Sequence, residues 1–165
     1  DDIEGELTNY LERLESLGGI DLFFLGLGPE AEAASHLCYI KPGSGAALED
    51  VAGINAISSS ILEHHISKFK AGGSSVNETD ETECRNAKYI LTLGPAAILG
   101  AKRIVQSIVD AAEVPAKKAS FKRLNETQFA TDADSIRNQV DENPGLLVRL
   151  HSDVRTYVTP ELLAE

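Results

Sequence analysis

Residues 20–29 of the chain read IDLFFLGLGP, a short apolar run that ends in a loop containing two glycines and a proline. An uninterrupted apolar run of this length is typical of a central strand buried in a parallel sheet. Open α/β sheets bind ligands in the loops that follow the carboxyl ends of such strands. The stretch therefore predicts an α/β fold with a ligand loop at Gly26 and Gly28.

Helical and strand-like segments alternate along the rest of the chain, which favours a largely parallel sheet. The first predicted helix ends near residue 17, and the others cover 61–69, 96–102, 115–124 and 133–140. The apolar strand-like runs cover 20–25, 54–57, 89–93, 104–109 and 154–158. Ser58, Ser59 and Ser60 are candidate N-caps of the second helix. Residues 71–85, which contain GGSS followed by NETDETE, are predicted to form a solvated loop.

The composition is that of one globular domain, because 165 residues with 42% hydrophobic residues can form a core without disulfides or a structural metal. A net charge of −11 argues against nucleic acid or an anionic membrane as the main partner. No apolar run has the length of a membrane span, and the acidic start DDIEGEL is unlike a signal peptide. We therefore expect a cytoplasmic protein.

The chain contains no methionine, and its acidic start runs directly into a helical pattern. This start is expected for a piece of a longer protein. The cysteines, Cys38 and Cys84, are expected to be free buried thiols because two cysteines cannot form a disulfide framework and no C-x-x-C spacing occurs. His64 and His65 are adjacent and would point about 100° apart on a helix, so no metal site is predicted.

Six blocks share their order and approximate spacing with one known family: GIDLFFLGLGP (19–29), KPGS (41–44), AISSSILEHHISKF (56–69), TLGPAAILGAKRIV (92–105), KKA (117–119) and LHSDVRTYV (150–158). Together they resemble the glucosamine-6-phosphate deaminase and 6-phosphogluconolactonase family. The resemblance implies a Rossmann-like, doubly wound, mostly parallel sheet with helices on both faces, acting on sugar phosphates without a cofactor. It also implies that residues 1–165 are a single domain, the carboxyl-terminal part of a longer one.

The segment after the first strand departs from the family pattern. Deaminases resemble G-x-G-x-D-G-H-x-A-F-N-E-P here and lactonases G-x-G-P-D-G-H-x-A-S-L-F-P, whereas this chain has GLGPEAEAASHL (26–37). Glu30 stands where the family has aspartate and Glu32 where it has histidine. Gly28-Pro29 and Ala34-Ser35 are closer to the lactonase form, so the deaminase and lactonase alternatives both stay open.

The candidate catalytic residues are Glu30, Glu32 and His36. Glu32 could act as a base, and a neighbouring carboxylate at Glu30 could raise its pKa toward neutrality. The alternative is two solvated carboxylates in the first turn of a helix, where the helix dipole favours them. His36 could supply the missing imidazole, or it is a lone surface histidine. His151, at a strand entry, is expected to be structural.

The candidate phosphate ligands are Lys68, where the family has an arginine, and Lys118, which precedes Ala119 as a family lysine does. Two converging ammonium groups suit a phosphate dianion. Both lysines could instead be solvated helix residues.

Two functions follow from the sequence. The first is a sugar-phosphate isomerase, deaminase or lactonase domain acting on a hexose phosphate such as glucosamine 6-phosphate or 6-phosphogluconolactone. The second is an inactive family member, a pseudoenzyme, that senses a sugar phosphate or serves as a structural domain. The expected partners are a phosphorylated sugar and either a second copy or a missing amino-terminal part.

Overall fold

The computed structural model describes residues 2–72 and 77–164. The helices are α1 (Ile3–Ser16), α2 (Ser59–Ala71), α3 (Glu78–Arg85), α4 (Pro95–Gly100), α5 (Pro115–Glu126), α6 (Ala133–Glu142) and α7 (Pro160–Leu163). The strands are β1 (Leu22–Leu25), β2 (Gly28–Pro29), β3 (Ser35–His36), β4 (Ala52–Ala56), β5 (Tyr89–Leu93), β6 (Arg103–Ile108) and β7 (Val154–Val158). Short 3-10 segments cover Ala31–Ala33 and Pro144–Leu150.

The main sheet is parallel and three-stranded, in the order β1-β6-β7. Phe23 of β1 pairs with Ile104 of β6, which in turn pairs with Val154 of β7. Parallel strands need crossover connections, and the helices between them supply these. The α/β class with a parallel sheet and flanking helices agrees with the prediction.

The two faces of this sheet differ. Ile104, Gln106 and Ile108 of β6 are buried, and the two isoleucines belong to the main hydrophobic cluster with residues of α6 and the 144–150 segment. The alternate residues of β6 face the other way and are half-buried or exposed, and on the same side Phe24 of β1 is 71% exposed. Because β1 is paired only with β6 within the described ranges, it is an edge strand and not the predicted central one.

Strands β4 and β5 form a separate antiparallel pair in which Ala52 is opposite Leu93 and Ala56 is opposite Tyr89. Both runs were expected to join a largely parallel sheet. The alternation of helices and strands does not reveal this difference, because an apolar strand has the same pattern in either orientation.

The prediction of a loop over residues 71–85 is wrong for its second half, which forms α3. The Asn77 side chain accepts hydrogen bonds from the amides of Thr79 and Asp80, and the Asp80 carboxylate accepts one from the Asn77 amide. This reciprocal cap fixes the first turn, and the Glu81–Arg85 ion pair supports the last one. Residues 73–76 of the predicted loop lie outside the described residues.

The other predicted helices are confirmed to within a few residues. Ser58 caps α2 by accepting a hydrogen bond from the Ile61 amide. His151 is structural, as predicted, since its Nε2 lies 2.7 Å from the Ala101 carbonyl and its Nδ1 accepts from the Asp153 amide. Within the part of the chain that the structure describes, none of the helices combines the length and the apolar character of a membrane span.

Candidate functional site

A cleft of about 300 Å³ lies beyond the carboxyl end of β1. It is lined by the 24–28 stretch and by His36, Leu37, Cys38, Tyr39, His64, His65 and Lys117. The predicted ligand-loop residues Gly26 and Gly28 both border it. This is the edge of the sheet at which α/β folds bind ligands.

Gly28 is required by a close approach inside this cleft. It lies opposite His36 in the antiparallel pair of β2 and β3. A Cβ atom at residue 28 would fall within the His36 imidazole ring. The absent side chain therefore makes the space that the histidine fills.

His36 is a half-buried imidazole that is neutral at physiological pH. Burial lowers its pKa to about 4, against an opposing effect from the Glu30 charge, while His64, His65 and Lys117 lower it further. Its Nδ1 is buried without a hydrogen-bond partner among the described residues. A neutral imidazole is chemically able to exchange a proton with a bound ligand through a ring nitrogen that faces it.

A tight turn over residues 37–40 carries Tyr39 into the cleft. The Leu37 and Ile40 amides each donate to the other residue's carbonyl, and the two central residues, Cys38 and Tyr39, have φ of 47° and 62°. The Tyr39 ring centre lies 4.9 Å from that of His65 and 6.4 Å from that of His36. Burial raises the pKa of the Cys38 thiol to about 12, so this cysteine is not a thiolate nucleophile.

Lys117, which lines the cleft, is paired with Asp110, which follows β6. One carboxylate oxygen of Asp110 accepts a hydrogen bond from Lys117, and the other oxygen lies 3.5 Å from the Lys68 ammonium group. Lys117 is only 7% exposed. Burial pushes the pKa of Asp110 up, but the hydrogen bond from Lys117 and both lysine charges lower it below its ordinary value. The exposed Glu113 also lies 3.7 Å from Lys68.

The two neighbouring histidines of α2 are also affected by their surroundings. Burial lowers the pKa of His64, and the charges of Lys117 and Lys68 lower it further, against the charge of Asp110. Burial and the neighbouring His64 lower the pKa of His65. Both imidazoles are therefore predominantly neutral at pH 7.

The structure replaces Lys118 with Lys117 as the lysine of the cleft. Consecutive residues of α5 point about 100° apart, so only one of the two can face Asp110. Lys117 is buried against it, whereas Lys118 is half-buried and takes part in none of the ion pairs of the described residues. Lys68, the other predicted phosphate ligand, does lie beside the same carboxylate.

Glu30 lies next to the cleft but is engaged elsewhere. Its two carboxylate oxygens accept hydrogen bonds from the hydroxyls of Ser58 (2.8 Å) and Ser60 (2.6 Å) at the start of α2. The serines predicted as caps thus hold a carboxylate at the positive end of the helix. This engagement makes Glu30 a structural anchor between the 26–40 segment and α2.

Glu32 is exposed and outside the cleft, and its backbone has φ of 56°. Its carbonyl accepts a hydrogen bond from Arg123. With Glu30, it borders a separate depression of about 510 Å³ that also includes Lys41, Arg123 and Asp141. The predicted catalytic set is therefore divided, with His36 in the cleft and the two glutamates beside another surface.

Sequence reasoning missed Asp110, Lys117 and Tyr39. Asp110 could have been found, because it comes directly after a predicted strand and therefore at the ligand-binding edge of the sheet. Tyr39 gave no such signal, since a turn with two non-glycine residues at positive φ is not expected from sequence. Within residues 2–72 and 77–164, no three His, Cys, Asp or Glu side chains converge as metal ligands would.

No protein-family model matches the chain. A 105-residue stretch, 64% of the chain, is 29% identical to a glucosamine-6-phosphate deaminase of Phocaeicola vulgatus and covers 34% of that protein. The corresponding enzyme of Parabacteroides distasonis is 27% identical over 105 residues and is covered to 33%. The chain thus spans about a third of the length of these curated relatives.

A solved structure described as a monomeric glucosamine-6-phosphate deaminase superposes on the chain with a TM-score of 0.66. The match covers 99% of this chain and 55% of the other, at 21% sequence identity. At this identity the likeness shows the fold, and it agrees with the Rossmann-like α/β architecture predicted from the sequence.

Proposed function

The sequence relatives and the shared fold support assignment of the chain to the glucosamine-6-phosphate deaminase/isomerase family, and from this premise we propose that its cleft binds a phosphorylated amino sugar such as glucosamine 6-phosphate. The relatives support the class of ligand, and the geometry of the cleft supports the location of the binding site. The lactone alternative, 6-phosphogluconolactone, has support only from the resemblance of Gly28-Pro29 and Ala34-Ser35 to the lactonase motif.

The observation that carries the proposal is the buried ammonium group of Lys117 at the ligand-binding edge of the sheet. A lysine is almost never buried unless it is paired, and Asp110 is its partner. Because Asp110 is shared with Lys68, one carboxylate faces two ammonium groups. The exposed Glu113 also lies beside Lys68, so the two carboxylates balance the two lysines in charge, and a phosphate would take the place of Glu113.

Catalysis requires a group that can move a proton, and His36 is the candidate within the cleft. It is neutral at pH 7, with a pKa of about 4, so it can accept a proton only from a strongly acidic group or pass one on transiently. Glu32, which stands at the family histidine position, is exposed outside the cleft. The exposed position of Glu32 favours an alternative in which the chain binds the sugar phosphate without turning it over.

Calorimetric titration of the chain with glucosamine 6-phosphate tests the binding proposal. Lys117→Met should weaken binding about 10- to 100-fold, because a charged hydrogen bond to phosphate contributes about 1.5–3 kcal/mol. Lys118→Met, one residue along the same helix, is the matched control and should bind as the unchanged chain does. Lys68→Met, at a half-exposed position, covers the case in which Lys117→Met does not fold.

The result that contradicts the proposal is equal affinity in the Lys117 and Lys118 variants, or no binding by the unchanged chain. Ammonia release from glucosamine 6-phosphate then separates the two functions. Release that is lost in His36→Gln, with binding retained, supports turnover. Binding without any release of ammonia supports the sensing alternative.

A further inference from the structure

We propose that Tyr39 is the residue that selects an amino sugar, its ring face forming the subsite for the protonated amine while the lysine side of the cleft holds the phosphate. This inference rests on the proposed function and adds to it the residue that distinguishes an amine from a hydroxyl. No catalytic step is assigned to Tyr39.

The backbone at Tyr39 is strained. Cys38 and Tyr39 occupy the two central positions of a tight hairpin turn that normally takes Asn-Gly, since both need positive φ. Non-glycine residues in this conformation cost about 1–3 kcal/mol each and persist only where the surroundings impose them. Here the surroundings include a 2.6 Å hydrogen bond from the Thr92 hydroxyl to the Cys38 carbonyl. Such strain is concentrated at functional sites, which directs attention to the side chain that it positions.

The side chain so positioned belongs to a wall of uncharged rings. Tyr39 is tilted by 51° against His65 and nearly parallel to His36, at 20°. His65 continues the wall to Phe69, with 6.2 Å between ring centres. Among the described residues, Arg149 lies over the ring of Phe129, and no lysine or arginine is stacked on the Tyr39 ring.

Two groups that line the cleft differ in what they attract. The Lys117 ammonium attracts the phosphate, and the Tyr39 face has the negative quadrupole that attracts a cation. An amino sugar phosphate carries an anionic phosphate and a cationic amine, so one bound molecule matches both groups.

The test compares two ligands that differ only at the amine. Dissociation constants for glucosamine 6-phosphate and glucose 6-phosphate are measured by calorimetry at pH 7 on the unchanged chain, Tyr39→Phe and Tyr39→Asn. Asparagine tolerates positive φ, so Tyr39→Asn keeps the turn and removes the ring. Tyr157→Leu, an exposed tyrosine on the far face of the sheet, is the matched control.

The unchanged chain, Tyr39→Phe and Tyr157→Leu should prefer the amino sugar by about 3- to 30-fold, the range of a cation–π contact. In Tyr39→Asn the preference should disappear, with the affinity for glucose 6-phosphate unchanged. The inference is overturned if Tyr39→Asn keeps the preference, or if both affinities fall together. If the unchanged chain binds neither ligand, the proposed function fails as well, and that result is distinct from a chain that binds both ligands equally.

Discussion

The carboxyl-terminal region, residues 95–164, and the hairpin segment, residues 26–40, differ in what holds their backbone in place. The first consists of regular helices and strands around the buried residues of β6 and the 144–150 segment. The second contains a 3-10 turn, two short strands and four non-glycine residues at positive φ: Glu32, Ala33, Cys38 and Tyr39. Its conformation follows from contacts with other parts of the chain.

Those contacts come from several elements. The Ser35 amide and hydroxyl both donate to Asn143, the Ala34 carbonyl accepts from Ser120, and the Thr92 hydroxyl donates to the Cys38 carbonyl. The difference teaches that the folded core supports the segment that carries the cleft. Mutations in the two regions should therefore have different, and in one case opposite, effects.

The largest effect is expected in the carboxyl-terminal region. Ile104 is completely buried in β6, so Ile104→Ala should lower the free energy of unfolding by about 3–4 kcal/mol through lost burial and the cavity left behind. The control is Phe24→Ala on the exposed face of the neighbouring strand, which should cost less than about 1 kcal/mol. Urea denaturation measures both, and similar losses would show that the exposed face is not open to solvent.

The next largest expected effect is a loss of folding stability at low pH, which comes from His36 in the hairpin segment. Folded His36 binds its proton only near pH 4, whereas the unfolded chain does so near 6.5. Its stabilisation is therefore complete above pH 6.5 and is lost as pH falls toward 4, a change on the order of 3 kcal/mol. His64 and His65, whose pKa values are also lowered, act in the same direction.

Urea denaturation at several pH values between 7.5 and 4.5 measures this loss. The variant His36→Gln removes the titrating group and should reduce the dependence on pH. An identical dependence in the variant would show that the pKa of His36 is not lowered in the folded protein.

The smallest expected effect is a change in the free energy of unfolding that has opposite signs in the two regions. Ala33 has φ of 61°, so Ala33→Gly should raise the free energy of unfolding by about 1 kcal/mol by relieving strain. Ala119 is exposed inside α5, and Ala119→Gly should lower it by about 1 kcal/mol. Thermal unfolding of the two variants gives the comparison. A loss of stability in both would mean that the hairpin segment is not strained at Ala33.

Most of the fold could be predicted because apolar periodicity and caps are local signals. The helices starting at Ser59, Pro95 and Pro115 and the strands ending at Leu25 and Val158 were all recognisable in this way. The antiparallel pairing of β4 with β5 and the edge position of β1 could not be recognised, since both depend on which strands become neighbours. Helix α3 was missed because an acidic, polar sequence with a good capping box resembles a solvated loop.

The candidate site was predictable only in outline. Gly26 and Gly28 border the cleft and Lys68 lies beside Asp110, whereas their roles in ligand binding stay predictions. Which of Lys117 and Lys118 faces the cleft depends on the rotation of α5 about its axis. A one-residue error in aligning the sequence with the family pattern exchanges the two lysines. The separation of Glu30 from His36 depends on the hydroxyls of Ser58 and Ser60, and no spacing rule indicates that these serines hold a carboxylate.

The position of β1 at an edge of the sheet has a consequence for handling the protein. Within the described residues its outer side is unpaired, and Leu22 and Phe24 are exposed, so the strand can template hydrogen bonding with another chain. The net charge of −11 opposes such self-association by mutual repulsion between molecules. Aggregation should therefore increase with added salt, which screens this repulsion, and as the pH approaches the isoelectric point of about 4.8, where the repulsion vanishes. The unpaired edge of β1 is present under both conditions.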